Sequence, residues 1–442
     1  MANVAPILLS AVKAPTGLWI TILNWIESSV VNYGWVIILF TLLIKACLTP
    51  IDFVVKYSTK KTSIAQLKLA PQIERLNKKY QNNKQELQVQ TNALYKREGI
   101  NPFLSCIVML VNIIITTVVF LTLFSSLRTM SAYKAINQYD QMQTAYVNTY
   151  NENKGLAQEA FINKIKETNT IYVLNGDTTT PETISDYTNI EKYASYFYSL
   201  EEPTEQAQLD ERASLETYFS TRYVNEQATV SIQNLLLECG KIATDASQTA
   251  VNKTWNEVKE NWLWIGNIWV ADNYSSPLPT YDDLNSMADS SKQKEYKTYV
   301  KNIDKDLYSV VTASVKDQNE RWNGYFILAV LTAVTSFLSQ WLNDLATKSK
   351  SKKLNDMVDK NNGSGGAMKV MKFVLPIMMV VFVLTSSSAF GLYYVTNSLV
   401  SIGFGQIINL IVNAMTKKKQ DEVDAYIEKE TIRSMRKLNK KH

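Results

Sequence analysis

Residues 34–50 read Gly34-Trp35-Val36-Ile37-Ile38-Leu39-Phe40-Thr41-Leu42-Leu43-Ile44-Lys45-Ala46-Cys47-Leu48-Thr49-Pro50, an apolar run interrupted by one charge. A bilayer core about 30 Å thick takes roughly 17–25 mostly apolar helical residues to cross, and the run from 30 to 48 fits. Four further stretches do the same: 103–124, 325–342, 370–387 and 389–415. The last two are parted only by Ser386, Ser387 and Ser388, which predicts a helical hairpin. Helices satisfy their own backbone polar groups in lipid, so the expected fold is an all-α polytopic membrane protein with five transmembrane helices. A mean hydropathy of −0.13 conceals this, because the 46% of hydrophobic residues are gathered into a few runs.

Charge bias predicts the orientation. The segment 49–101 holds ten Lys/Arg against four Asp/Glu, 346–372 holds seven against two, and the tail from Met415 nine against five. Basic loops stay in the cytoplasm. The stretch 125–322 carries 18 basic and 28 acidic residues and is expected outside. The N-terminus is then outside and the C-terminus cytoplasmic. The chain divides into an N-terminal region (1–29), a cytoplasmic helical hairpin (49–102), a mostly helical external domain (125–324), a cytoplasmic loop (343–369) and a basic cytoplasmic tail (416–442). Leu18, Trp19, Ile22, Trp25 and Ile26 recur at helical spacing before the first span, as in an interfacial amphipathic helix. No basic n-region precedes the apolar residues 4–12, so the start lacks the pattern of a secretory signal.

Most chemistries are disfavoured. The one histidine is the terminal His442, and Cys47, Cys106 and Cys239 have neither disulfide nor metal spacing. Asp52 and Asp344 lie just beyond the ends of their spans, which disfavours an intramembrane aspartyl protease. A Ser/Lys dyad of Lys45 with Ser386 to Ser388 or Ser401 stays open, although the serine cluster belongs near the opposite face. No phosphate loop is present. The expectation is a protein that is not an enzyme and takes no cofactor.

In the hairpin, Ile64, Leu67, Ile73, Leu76 and Tyr80 mark one stripe, Asn82-Asn83 a turn, and Leu87 and Leu94 a return helix. Its basic surface, Lys56, Lys60, Lys61, Lys68, Arg75, Lys78, Lys79 and Lys84, has two readings: attraction to anionic lipid, or contact with an incoming chain or a ribosome. The tail, with Lys417 to Lys419 and then Arg433, Arg436, Lys437, Lys440 and Lys441, attracts ribosomal RNA and lipid alike. The loop lysines Lys348, Lys350, Lys352 and Lys353 precede a flexible linker, Asn361 to Gly366. Outside, 156–167 and 230–258 read as helices, and Ile171 to Leu174 before Asn175-Gly176 as a strand entering a tight turn.

Polar residues within spans are the functional candidates. Lys45 has two readings: it snorkels to the cytoplasmic interface, or it faces a wet cavity. Asn112, Gln340 and Gln406 either bond neighbouring helices or line that cavity with it.

Five strings, in order, resemble one family. They are Phe40-Thr41-Leu42-Leu43-Ile44-Lys45 with Leu48-Thr49-Pro50; Leu69-Ala70-Pro71-Gln72-Ile73; Leu94-Tyr95-Lys96-Arg97-Glu98-Gly99-Ile100-Asn101-Pro102; Trp264-Ile265-Gly266-Asn267-Ile268; and Leu392-Tyr393-Tyr394-Val395-Thr396-Asn397-Ser398-Leu399. Together they resemble the YidC/Oxa/Alb membrane protein insertases over 19–128 and 262–415. The resemblance implies five helices around a hydrophilic groove open to cytoplasm and lipid, with Lys45 at the position of the family's single positive residue, usually arginine. Gln340 also matches a family position, and Asn112 stands where glutamine is commoner. The implied function is a membrane protein insertase and chaperone acting on nascent membrane proteins, alone on short substrates and beside a Sec-type translocon; the basic segments add a ribosome and anionic lipids as partners, and DNA has no part. The segment 131–260 is an insertion that the resemblance does not explain. The absence of the extra first span and periplasmic domain of Gram-negative members points to a Gram-positive type of bacterial cytoplasmic membrane. The competing reading is a membrane-anchored scaffold or adhesion protein presenting the acidic external domain. A solute transporter would show internal repeats and paired intramembrane charges, and neither is evident in the sequence.

Overall fold

A computed structural model describes residues 12–99, 102–318, 321–347 and 365–439. The chain forms two compact units: one of 16–127, 271–273 and 324–442, the other of 1–15, 128–270 and 274–323. We call them the helical unit and the insertion-bearing unit.

The helical unit starts with α1 (Leu18–Glu27), packed on α2 (Tyr33–Lys79). On α1, Ile20, Leu23 and Ile26 are buried, while Leu18 and Trp25 stay exposed. α1 is apolar on most of its circumference, so periodicity alone does not choose the packed side. Trp19 donates to Thr122 Oγ1 at 3.0 Å and meets the ring of Phe40 edge-on. α2 does not end at Pro50 but runs through it and through Pro71 to Lys79. A proline removes one backbone donor, which a helix tolerates when neighbours hold it. The C-terminal helix α13 (Ser388–Asn439) packs along α2.

α3 (Lys84–Arg97) packs back on α2 as the second arm of a helical hairpin. The Asn83 side chain caps it by accepting from the Glu86 N–H at 3.1 Å, and Leu69, Ile73 and Leu94 form its core. α4 (Pro102–Thr168) runs for 67 residues, of which those to 127 belong to this unit. Here too the structure extends an expected element, since the span 103–124 and the helix read at 156–167 are one. Neither Pro nor Gly occurs between 103 and 154 to stop it.

The later apolar helices are α11 (Ile327–Thr347), α12 (Gly365–Thr385) and α13 (Ser388–Asn439), α11 packing against both others. The expected break falls at Ser386-Ser387, and α13 carries the last apolar stretch without interruption into the tail. A Cβ at Gly391 would lie 3.0 Å from Leu328 and 3.1 Å from Val383, so glycine permits the close approach of the three helices. Phe124 and Phe390 pack edge to face at 4.8 Å beside Phe120 and Phe382. Among the described residues, three helices, α2, α4 and α13, are long and apolar enough to cross a membrane, and 327–342 and 376–385 are shorter apolar helices. The N-terminal residues 1–11, the loop and linker at 348–364, and the side chains of 433–442 lie outside the described residues.

In the insertion-bearing unit, β1 (Thr170–Asn175), β2 (Thr178–Thr183) and β3 (Arg222–Tyr223) form an antiparallel sheet of order β2-β1-β3. The strand and turn read at 171–176 are there, with Gly176 at φ +64°. The helices are α5 (Thr188–Phe197), α6 (Gln206–Ser220), α7 (Ile232–Val258), α8 (Tyr281–Ser290), α9 (Lys294–Asn302) and α10 (Lys305–Gln318). Trp255, Trp269, Phe161, Tyr198 and Tyr296 are fully buried in its core. Tyrosine hydroxyls end on carbonyls, Tyr198 on Leu236 at 2.7 Å and Tyr308 on Pro279 at 2.6 Å. Burial pushes both phenols up, which keeps them protonated donors.

Candidate functional site

The polar residues of the helical unit fall into recurring rows. On α11, Thr332, Thr335, Ser336, Ser339 and Gln340 recur at positions i, i+3, i+4, i+7 and i+8, one face of a helix. Thr332, Thr335 and Ser336 are buried, and Ser339 and Gln340 half-buried. Across from this face, Ser336 Oγ and Tyr394 Oη of α13 are 3.5 Å apart. Several hydroxyls satisfy themselves on the preceding turn, as Thr335 does on the Leu331 carbonyl and Thr41 on that of Ile37, both at 2.7 Å. Thr332 Oγ1 and Asn409 Nδ2 are buried with no protein partner, so polar groups remain to be solvated in this interior.

Lys45 is half-buried, and its Nζ lies 3.2 Å from Asp52 Oδ2. The sequence reading put Asp52 past the end of the first span's helix; because α2 continues through Pro50, lysine and carboxylate share one helix, two turns apart. Thr49, between them, donates to the Lys45 carbonyl at 2.7 Å. Further along, Lys56 Nζ donates to the Gly405 carbonyl of α13 at 3.0 Å.

Of the other expected site residues, Gln406 is half-buried next to Gly405, and so near Lys56. Asn112 is half-buried on α4 and Gln340 on α11. Among the described residues, no hydrogen bond or ion pair joins any two of Lys45, Asn112, Gln340 and Gln406. From the sequence, Asp52 stands outside the span and Lys56 on the basic surface of the hairpin, and nothing singles out Asn409. The α2 spacing of 45, 49, 52 and 56 was the available signal, and it shows only when the helix is carried past the end of the span at 48. Among the described residues no cluster could hold a metal ion.

A second polar region lies where α13 returns to the hairpin. Arg75 pairs with Glu430 at 2.9 Å, beside a cleft of about 450 Å³ lined by Leu76, Lys79, Leu94, Arg97 and Tyr426.

The motif at 264–268 acquires a structural account. A Cβ on Gly266 would sit 2.6 Å from Pro277 Cγ, so only glycine fits there. Asn267, fully buried, donates through Nδ2 to Gln138 Oε1 at 2.9 Å and to the Pro277 carbonyl at 3.1 Å. Its backbone N–H donates to Asn323 Oδ1 at 2.8 Å, and Asn323 Nδ2 returns a bond to the Asn267 carbonyl at 2.8 Å. Within the helical unit, the buried Asp272 accepts from the Leu328 N–H in the first turn of α11. Burial pushes its carboxyl up, against the downward pull of the Leu328, Phe326 and Ala329 N–H groups.

The family model described as 60Kd inner membrane protein matches residues 25–176 and 249–418, nearly three quarters of the chain. The chain belongs to this family, the YidC/Oxa/Alb membrane proteins. Similar proteins named membrane protein insertase YidC come from Aromatoleum aromaticum, 35% identical over 24% of this chain and 18% of that protein, and from Chlorobaculum parvum, 36% identical over 20% and 14%. A third, from Helicobacter pylori, is 29% identical over 25% of this chain and 20% of that protein. The chain thus spans about a fifth or less of the length of the curated relatives it matches. The family match leaves 177–248 uncovered, a shorter stretch than the 131–260 set aside from the sequence.

Proposed function

We propose that this protein is a membrane insertase and chaperone that moves short hydrophobic segments of newly made proteins from the cytoplasm into the bilayer. In this reading all five apolar helices cross the bacterial cytoplasmic membrane, with the N-terminus and residues 128–323 outside and the hairpin and tail inside. Lys45, Asn112, Gln340 and Gln406 line a groove open to the cytoplasm and the lipid. The observation that carries the reading is a half-buried lysine in an apolar helix of a chain that belongs to this family. Such a cation is costly in hydrocarbon unless it meets water or a partner, and Asp52 is the partner that Lys45 has within α2. A wet groove lowers the cost of carrying the polar flank of a substrate inward, and burial of the apolar segment in lipid drives the remainder.

The basic hairpin and tail supply the cytoplasmic approach, to ribosome and anionic lipid alike, and the Arg75–Glu430 ion pair joins one to the other. A Sec-type translocon is a further partner in this proposal. The scaffold reading draws on residues 128–323, which have a core of their own. Photoreactive residues at 45, 112, 340 and 406 separate the two. A ribosome-stalled chain bearing one short hydrophobic segment should crosslink at these positions and not at Leu156. No crosslink at any of the four, with folded protein, contradicts the insertase and favours the scaffold.

A further inference from the structure

The cation assigned to the groove is not bare. Asp52 Oδ2 stands 3.2 Å from Lys45 Nζ, and seven residues of helix bring the two to within about 20° of one face. Four residues beyond Asp52, Lys56 lies on the same stripe with its ammonium on the Gly405 carbonyl. The charges along α2 therefore alternate, cation, anion, cation. The side chains of Lys45 and Asp52 are 15% and 28% exposed, so the pair is shielded yet within reach of an arriving group.

We propose that Asp52 is the resident counter-ion of Lys45 and sets which segments the groove accepts: the acidic residue flanking an incoming segment takes the place of the Asp52 carboxylate. The proposal rests on the insertase reading. The exchange replaces one carboxylate by another, so Lys45 is never left half-buried without a partner, the state that carries the large penalty. The displaced Asp52 turns to Lys56, four residues on, with the acid N-terminal to the base in the favourable order. No bond is made or broken and no proton moves. A segment flanked by amides cannot complete the exchange and enters without this help, so the Lys45–Asp52 pair acts as a threshold. Removing Asp52 removes the competitor and leaves the cation free for any acidic flank.

The test uses the full chain in proteoliposomes and two short single-span substrates that differ only in Asp or Asn at one flanking position, scored by protease protection. The quantity read is the ratio of insertion, Asp substrate over Asn substrate. Asp52→Asn should raise that ratio about fivefold, the scale of a partly exposed ion pair. Asp52→Glu should return it to the wild-type value, and Lys45→Gln should bring it to about one, whichever residue stands at 52. If Asp52→Asn lowers both substrates in proportion and leaves the ratio unchanged, Asp52 is structural and the proposal is overturned while the insertase stands. If the wild-type chain inserts neither substrate, the insertase reading falls and takes this proposal with it.

Discussion

Between residues 107 and 121 of α4, the large apolar side chains Ile107, Leu110, Ile114, Val118 and Leu121 are about half exposed. In the insertion-bearing unit, Trp255, Trp269 and Phe161 are almost completely hidden. One region packs its apolar surface against itself, as a domain in water must; the other leaves it for a solvent that is itself apolar. α4 carries residues of both kinds on one continuous helix. The lesson is that exposure acquires meaning only once the solvent is named.

The largest expected effect is in the buried core. Trp269→Ala should cost about 3–5 kcal/mol, read as loss of protease resistance in residues 128–323 of the full chain in detergent. Ile114→Ala, at an exposed position, should change unfolding by about 0.5 kcal/mol or less; equal effects would erase the distinction. A sharper comparison uses two positions on α4 of nearly identical exposure, Val118 at 55% and Leu156 at 54%. Val118→Lys should cost about 3 kcal/mol of membrane integration, seen as a rise in the carbonate-extractable fraction. Leu156→Lys should leave that fraction unchanged.

Next comes Asn267→Ala, which strands Gln138 and the Pro277 carbonyl and should cost about 2–3 kcal/mol of unfolding free energy. The smallest effect is a pH dependence. Burial pushes the Asp140 carboxyl up to about 6, so the native unit holds a proton that the unfolded chain releases. Its stability contribution is therefore present below the unfolded carboxylate pKa and lost as pH rises from about 4 to about 6. Asp140→Asn should stabilise the protein at neutral pH by about 1 kcal/mol, allowing for partial solvent screening, and by nothing near pH 4. A thermal melt series across that range checks both the sign and the window.

Much of this was legible because periodicity and breakers act locally. The hairpin shows in the Ile64, Leu67, Ile73 and Leu94 spacing about the Asn82-Asn83 turn, the last break in Ser386 to Ser388, and the β1–β2 turn in Asn175-Gly176. The length of α4 was hidden by its change of composition near residue 125, which reads as a boundary although nothing in the backbone chemistry stops the helix. At Pro50 too the helix continues past a residue that usually ends one, and that continuation brings Asp52 onto the helix of Lys45. Asp272 caps α11 from 55 residues away, and no local pattern announces a cap supplied across such a distance. Of the groove candidates, the polar residue types were legible; the Lys45–Asp52 pair needed α2 to continue past residue 48, and the Lys56–Gly405 contact needed α2 and α13 side by side.

The central claim is that the half-buried cation of α2 serves the transfer of polypeptide into lipid. Its most direct test is insertion of a short single-span substrate into liposomes containing only this protein, scored by protease protection, with Lys45→Ala in parallel. The account predicts insertion by the wild type and a marked fall with Lys45→Ala. Wild-type insertion that Lys45→Ala leaves unchanged would contradict the charged groove, and no insertion above empty liposomes by folded protein would contradict the insertase itself.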